Sequence, residues 1–180
     1  MTSPFDRFSA QDLVVIGVFA AASKVTTLLV ALAGGGMNPI SLMGKNLIFT
    51  MLLVVMLCRV NKIGTLFLFT IINIIVSMLL LGASVTLLPP LLVAALVAEL
   101  AMYPKRESES VWNKVLGAAV FDLVSKALSL GLSWIFMREN PAMVLMIIPI
   151  VVIGYIGSIC GLFTGVKAVK ELRHAGIIRY

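Results

Sequence analysis

The stretch from Asp12 to Ala33, DLVVIGVFAAASKVTTLLVALA, decides the fold class of this protein. It is apolar almost throughout, and a helix of about 22 residues rising ~1.5 Å per residue spans the ~30 Å hydrocarbon core of a bilayer. Small residues cluster in its first half at Gly17, Ala20 and Ala21, and a single cation, Lys24, lies near its middle. Small residues let another helix approach closely, and an intramembrane charge usually faces protein or water. We therefore expect this helix to contribute both to a partner contact and to a ligand site.

The whole composition also predicts an integral membrane protein. Of the 180 residues, 61% are hydrophobic and only 12% are charged, which leaves too little polar side chain to cover a soluble domain. Five more apolar segments follow the first, so we do not interpret the first helix as a removable signal peptide. Cys58 and Cys160 lie in apolar runs without metal-ligand spacing, and we expect both to be buried structural residues.

Turn signals divide the chain into six helices of one membrane domain, residues 1–180. The triple glycine at 34–36 and the following Asn38-Pro39 must end the first helix, because neither element supports a helical path. At the start of that helix, Ser9 and Asp12 have the spacing of a capping box. We predict an all-α bundle of six transmembrane helices at about residues 12–33, 42–58, 63–81, 87–103, 111–137 and 144–172.

Six spans place both termini on one side of the membrane, and the cations indicate which side. The terminal side holds most of them, whereas the opposite turns offer Arg138 and Lys45. By the positive-inside rule, both termini are expected in the cytoplasm and the protein in the cell membrane. The net charge of +6 is then explained by topology and anionic lipid, and no compact basic domain exists to bind nucleic acid. The cations of the terminal side are Arg7, Arg59, Lys62, Lys105, Arg106, Lys114, Lys167, Lys170, Arg173 and Arg179.

Polar residues inside the predicted spans concentrate in the outer halves. On helix five, the spacings of four, three and four put Asp122, Lys126, Ser129 and Ser133 on one face. The inner halves are nearly free of polar side chains, which favours a pocket open to the outside above an apolar floor and argues against a pore. The other candidate ligand residues in the outer halves are Lys24, Asn38, Ser41, Lys45, Asn73, Ser77 and Tyr155.

Each candidate has a purely structural alternative. Asp122 and Lys126 are four residues apart and could neutralise each other, while Lys24 could pair with Asp122 across the bundle or bind a ligand. The serine and asparagine residues could equally hold helices together. If the residues do form a pocket, Lys24, Lys45 and Lys126 against one carboxylate favour an anionic or acceptor-rich ligand.

Helix six carries Gly157, Gly161 and Gly165 in consecutive steps of four. This pattern predicts close helix packing, with a partner that lies either in this chain or in another. Catalytic motifs are absent: there is no HExxH, no Walker loop, no GxSxG and no pair of intramembrane aspartates. We therefore expect no enzyme activity, no cofactor and no metal, and any energised transport would need an ATPase from another subunit.

Three short stretches carry a family resemblance: DLVVIGVFAAASKV at 12–25, MLCRVNKIGTLF at 56–67 and LLPPLLVAALVAELAMYPKR at 87–106. Together with six helices in under 200 residues, they resemble the substrate-binding S components of energy-coupling factor transporters, and more narrowly the Trep_Strep family of predicted S components. The similarity in layout covers about residues 10–175, while the specific motifs end near residue 106.

The resemblance implies a small nutrient, such as a vitamin, captured from outside, with the first outer loop, residues 34–41, as a lid over the pocket. It also implies a membrane-embedded coupling protein with two cytoplasmic ATPases, contacted through Gly17, Ala20 and Ala21. The family pattern there is AxxxA, and this chain has glycine in place of the first alanine, which departs from the motif but keeps a small residue. The alternative is a small structural or assembly membrane protein whose polar groups bind no transported ligand.

Overall fold

The computed structural model describes residues 8–34, 38–81, 88–105, 110–136 and 141–176, and every structural statement refers to these residues. They form six α-helices and no strand, so the prediction of an all-α membrane fold is confirmed. The helices are α1 (Ala10–Gly34), α2 (Pro39–Arg59), α3 (Thr65–Leu81), α4 (Leu88–Met102), α5 (Val111–Phe136) and α6 (Pro141–His174). A short 3₁₀ turn, Tyr103–Lys105, follows α4.

The helix starts follow local sequence signals. At α1, the Ser9 backbone N–H donates to Asp12 Oδ2 at 2.9 Å and the Asp12 N–H donates to Ser9 Oγ at 3.2 Å. The predicted capping box is therefore confirmed. At α2, Asn38 is the N-cap and its Oδ1 accepts from the Ile40 N–H at 3.0 Å, with Pro39 in the first turn. Proline is tolerated in a first turn, which is also why α6 begins at Pro141, earlier than predicted.

Four helices are long and apolar enough to cross a bilayer: residues 10–30, 39–59, 111–135 and 148–174. The remaining two, α3 and α4, have 17 and 15 residues, which corresponds to ~26 Å and ~23 Å. Six spans and cytoplasmic termini therefore stay predictions. The predictions about charge and about the lid also involve residues that lie outside the described ones, namely Arg7, 35–37, Arg106, Arg138 and Arg179.

Contacts between helices give their relative directions. Asp12 of α1 forms a 2.8 Å ion pair with Lys62 just after α2, and Val30 near the other end of α1 lies beside Gly44, so α1 and α2 are antiparallel. In contrast, α2 and α6 are parallel, since contacts advance together along both helices. It follows that α1 begins, and α6 ends, at the same end of the bundle. We call this the terminal end.

The glycines of α6 pack against α2, which identifies the partner that their spacing left open. A Cβ built on Gly157 would lie 2.5 Å from the Met43 carbonyl oxygen, and one on Gly161 would lie 2.5 Å from that of Leu47. A Cβ built on Gly165 would lie 3.0 Å from the Cβ of Val54. Because no side chain separates these backbones, α2 and α6 form the most extensive helix pair of the fold.

The buried apolar core lies toward the terminal end, where the sequence predicts inner halves poor in polar residues. Its members come mainly from the second half of α2, the start of α3 and the second half of α4, with Ile16 and Ala20 from α1. Cys58 is buried in this core as expected, but the expectation for Cys160 was wrong. Its side chain is exposed on α6, because it lies about 100° around the helix from the glycines that contact α2.

Replacing Gly161 by alanine should separate α2 from α6. The new Cβ would meet the Leu47 carbonyl at 2.5 Å and Thr50 Cβ at 2.9 Å, and such overpacking typically costs about 1–3 kcal/mol. Thermal unfolding of the detergent-purified protein should show a lower melting temperature. The matched control is Gly131→Ala on α5, where nothing lies within 4 Å of a new Cβ. Equal melting temperatures for the two variants would contradict this packing.

Candidate functional site

Three phenylalanines from different helices meet near the middle of the bundle. The rings of Phe49 on α2 and Phe69 on α3 have centroids 6.2 Å apart, and those of Phe49 and Phe121 on α5 are 6.4 Å apart. Tilted aromatic pairs at such distances are favourable contacts. We call these three residues the aromatic floor.

Polar residues lie one helical turn from each phenylalanine, on the side away from the terminal end. The residue four positions from Phe49 is Lys45, from Phe69 it is Asn73, and from Phe121 it is Ser125. α3 begins at the terminal end, where Gly64 lies beside Phe8, and α5 begins at the same end, because the last turn of α4 contacts both Leu66 and Gly117. Since α2 runs in the opposite direction and residues four apart share a helix face, the three polar residues lie on the same side of the floor. A further turn along the same faces brings the serines 41, 77 and 129. Together with Ser23, Lys24, Asp122 and Lys126, we call Lys45, Asn73 and Ser125 the polar layer.

An ion pair within the polar layer joins α5 to α6. The Lys126 ammonium donates to Asp122 Oδ2 at 2.7 Å and to Ser158 Oγ at 2.6 Å, and Gly154 O lies at 3.4 Å. The ring of Tyr155 adds a cation–π contact at 5.6 Å from its centroid. Asp122 is only 4% exposed. The predicted alternative of an internal Asp122–Lys126 pair is thus what the structure contains.

Two other lysines of the layer have no such partner. Lys24 on α1 is half-buried, one turn beyond the fully buried Ala20. Lys45 on α2 is also half-buried, and the neighbouring Gly44 packs beside Val30 of α1. Among the described residues, no carboxylate lies within ion-pair distance of either lysine. The layer therefore contains three lysines and one carboxylate, with two positive charges uncompensated.

A separate hydrogen-bond chain connects α1 to α3. The Asn73 side-chain amide donates to Ser23 Oγ at 3.4 Å, and the Ser77 hydroxyl donates to the Asn73 carbonyl at 2.6 Å. Ser23 in turn donates to the Ala20 carbonyl. All three of the polar residues are buried. Asn73 and Ser77 thus make hydrogen bonds of the kind that a structural role requires, and their contact with a ligand stays a prediction.

The remaining predicted ligand residues divide by burial. Asn38 is exposed and caps α2, and Ser129 and Ser133 are half-buried on α5. Ser41 is only 9% exposed, one turn from Lys45 on the same face of α2. Within the described part of the chain, its hydroxyl has no hydrogen-bond partner. Because buried polar groups normally have a hydrogen-bond partner, Ser41 is the strongest candidate of this group for contact with a ligand.

Sequence reasoning missed Ser23, Ser125, Ser158 and the aromatic floor. Ser158 directly follows Gly157, a member of the glycine pattern of helix six, and Ser23 directly precedes the candidate Lys24. The sequence has no local signal for their partners, because Lys126 is 32 positions from Ser158 and Asn73 is 50 from Ser23. The phenylalanines could have been found from their steps of four to polar residues.

Two of the three predicted docking residues face outward. Ala21 is exposed, and a Cβ on Gly17 would meet nothing within 4 Å, so both lie on an open face of α1. Ala20 has 0% exposure and belongs to the core, where it packs inside the chain. The small surface available to another helix is therefore Gly17 with Ala21, without Ala20.

Exposed tryptophans indicate the depth of the site. Trp112 and Trp134 on α5 are both 65% exposed, and the about 22 residues between them correspond to ~33 Å along the helix. Tryptophan prefers the two membrane interfaces, which are ~30 Å apart across the hydrocarbon. Asp122 lies near the midpoint between the two, and Lys126 lies one turn further from the terminal end.

Comparison with known protein families matches residues 10–140 to a family described as hypothetical bacterial integral membrane protein (Trep_Strep). The match covers most of the chain, so the protein belongs to the Trep_Strep family. That part of the resemblance is confirmed, and together with the long apolar helices it establishes a multi-pass membrane protein. The comparison with curated proteins gave no match, and neither did the comparison with solved structures.

Removing the cation of the ion pair should destabilise the bundle. Lys126→Met leaves the Asp122 carboxylate buried without its partner, and breaking one side of a buried pair typically costs about 3–5 kcal/mol. The double variant Asp122→Leu with Lys126→Met removes both charges and should recover most of that loss. Chemical unfolding in detergent measures both. A double variant as unstable as Lys126→Met would show that the pair does not stabilise the fold.

Proposed function

We propose that this Trep_Strep family member is the substrate-binding S component of an energy-coupling factor importer. It captures a small nutrient, such as a vitamin, from outside the cell and delivers it through a membrane-embedded coupling protein and two cytoplasmic ATPases. It lies in the cytoplasmic membrane with both termini inside the cell. The protein contributes affinity for the substrate and performs no bond chemistry.

One observation carries this proposal: a polar layer with uncompensated charge lies directly above an aromatic floor. The layer draws on α1, α2, α3 and α5, and Lys126 ties it to α6. Below the floor, most of the buried described residues toward the terminal end are apolar, with Thr65, Asn113 and Lys114 as buried polar exceptions. A polar site closed on one side by apolar packing suits a ligand that is bound and then handed over, whereas a channel needs a wet path through both halves.

The proposed cycle uses two separate parts of α1. Substrate binds in the polar layer near Lys24. The loaded protein docks on the coupling protein through Gly17 and Ala21, nearer the terminal end of the same helix. Tipping of the protein toward the cytoplasm, driven by the ATPases, then releases the substrate. The open face around Gly17 supports this division, because a partner helix backbone can approach it closely.

The ion pair favours a second candidate function. Asp122, Lys126 and Ser158 satisfy one another, and Asn73 binds Ser23, so part of the polar layer acts as glue between helices. A structural or assembly membrane protein needs no more than this. The two candidate functions predict different roles for Lys24 and Lys45. A ligand site needs their positive charges, whereas a purely structural layer gains no stability from lysines that have no partner among the described residues.

Gly17→Leu combined with Ala21→Leu should abolish docking without unfolding the protein, since both positions face open space. The tagged full chain is purified from its host membranes, and co-purifying subunits are identified by mass spectrometry. Wild type should bring a membrane coupling protein and two ATPases, and the double leucine variant should lose them at an unchanged melting temperature.

The matched control is Ala127→Leu with Gly131→Leu on α5. These residues have the same four-residue spacing, Ala127 is exposed, and nothing lies within 4 Å of a Cβ on Gly131. This control should keep the subunits. Wild type without coupling protein and ATPases would overturn the proposed function, and retention of the subunits by the α1 variant would overturn the docking surface.

A further inference from the structure

We propose that the ligand of the polar layer is a small organic anion, carrying a carboxylate or phosphate, held between Lys24 of α1 and Lys45 of α2 with its apolar part toward the aromatic floor. This inference rests on the proposed function and names the substrate class of the same site. It assigns binding to two lysines and removes the third, Lys126, from the set of ligand contacts.

The charge balance of the layer supports an anion. Lys126 is neutralised by Asp122 and also donates to Ser158, so its hydrogen-bonding capacity is used within the protein. Lys24 and Lys45 have neither an ion-pair nor a hydrogen-bond partner among the described residues. They lie on adjacent helices, because Gly44 beside Lys45 packs next to Val30 of α1, so their like charges repel one another. An anion between α1 and α2 relieves this repulsion and supplies the partner that each ammonium lacks. Two lysines match a dianion, or a monoanion that bridges both.

The neighbouring side chains define the rest of the ligand. Ser41, 9% exposed and without a hydrogen-bond partner in the described residues, lies one turn from Lys45 on the same face. It can donate to an anionic oxygen that Lys45 also contacts. Phe49 lies one turn from Lys45 in the other direction and packs against Phe69 and Phe121. A ligand contacting both ends of this face is polar at one end and apolar, or aromatic, at the other.

The depth of the lysines favours a free small molecule over a lipid headgroup. On α5, the residues of the layer lie between the two exposed tryptophans, with Asp122 near the midpoint. Lipid headgroups lie outside the hydrocarbon region that these tryptophans bracket. A phosphate at the level of Lys24 and Lys45 therefore has to enter the bundle.

The test is thermal unfolding of the purified full chain with a series of probes of similar size. Phenyl phosphate and benzoate carry the anion, benzyl alcohol is the neutral counterpart, and inorganic phosphate lacks the ring. Phenyl phosphate should raise the melting temperature progressively with concentration, and benzyl alcohol should not. Dihexanoyl phosphatidylglycerol tests whether the bound anion is a lipid headgroup. It should raise the melting temperature less than phenyl phosphate does.

Variants assign the effect to the two lysines. Lys24→Gln and Lys45→Gln should each raise the half-stabilising concentration of phenyl phosphate about tenfold or more, because each removes a charged hydrogen bond. Lys167→Gln, at an exposed lysine of α6, should leave it unchanged. Without any probe, the two site variants should melt at or above the wild-type temperature, because each removes an unpaired charge.

The inference is overturned if no anion stabilises the protein beyond benzyl alcohol, if the lipid is the stronger ligand, or if Lys24→Gln and Lys45→Gln respond like wild type. A lower melting temperature of the probe-free variants would also overturn it, since the lysines would then be structural. Co-purification of the coupling protein and ATPases with wild type tests the proposed function separately. If these subunits co-purify while the ligand test fails, the proposed function is retained and only the substrate class is wrong.

Discussion

Charge inside a membrane must be neutralised, hydrogen-bonded or hydrated, and this requirement governs the middle of the bundle. Insertion scales assign a cost of roughly 2.5–3.5 kcal/mol to a lysine at the centre of a membrane helix. Lys126 meets the requirement through Asp122, Ser158 and the ring of Tyr155. Lys24 and Lys45 do not meet it with the described residues. A protein that keeps two such lysines within its candidate membrane-spanning helices gives up stability there, which is the usual sign of a functional site.

The packing of α2 against α6 positions this site. The glycines of α6 bring its backbone against Met43 and Leu47, and the same register places Gly154 and Ser158 within reach of Lys126 from α5. The glycine pattern is therefore more than a general packing signal, because it also positions the α6 atoms that accept hydrogen bonds from Lys126.

The sequence predicts what depends on neighbouring residues. Apolar runs, the Ser9–Asp12 capping box and the four-residue spacing of Asp122 and Lys126 are local, and the structure contains them. Contacts between distant helices have no such signal, and for this reason the partner of the glycines stayed open and Ser158 was missed. Ala20 shows the limit within one helix. It neighbours the exposed Ala21, but a rotation of about 100° per residue turns it into the core.

The most direct measurement of the central claim is native mass spectrometry of the full chain, purified gently from its own membranes. The account predicts a stoichiometric small anion bound to the wild-type protein and absent from Lys24→Gln with Lys45→Gln. If the wild-type protein is purified without a bound ligand, incubation with the low-molecular-mass fraction of the host cells should produce the protein–anion complex. A protein that stays at its own mass after that incubation would contradict a ligand site and would favour a structural role for the polar layer.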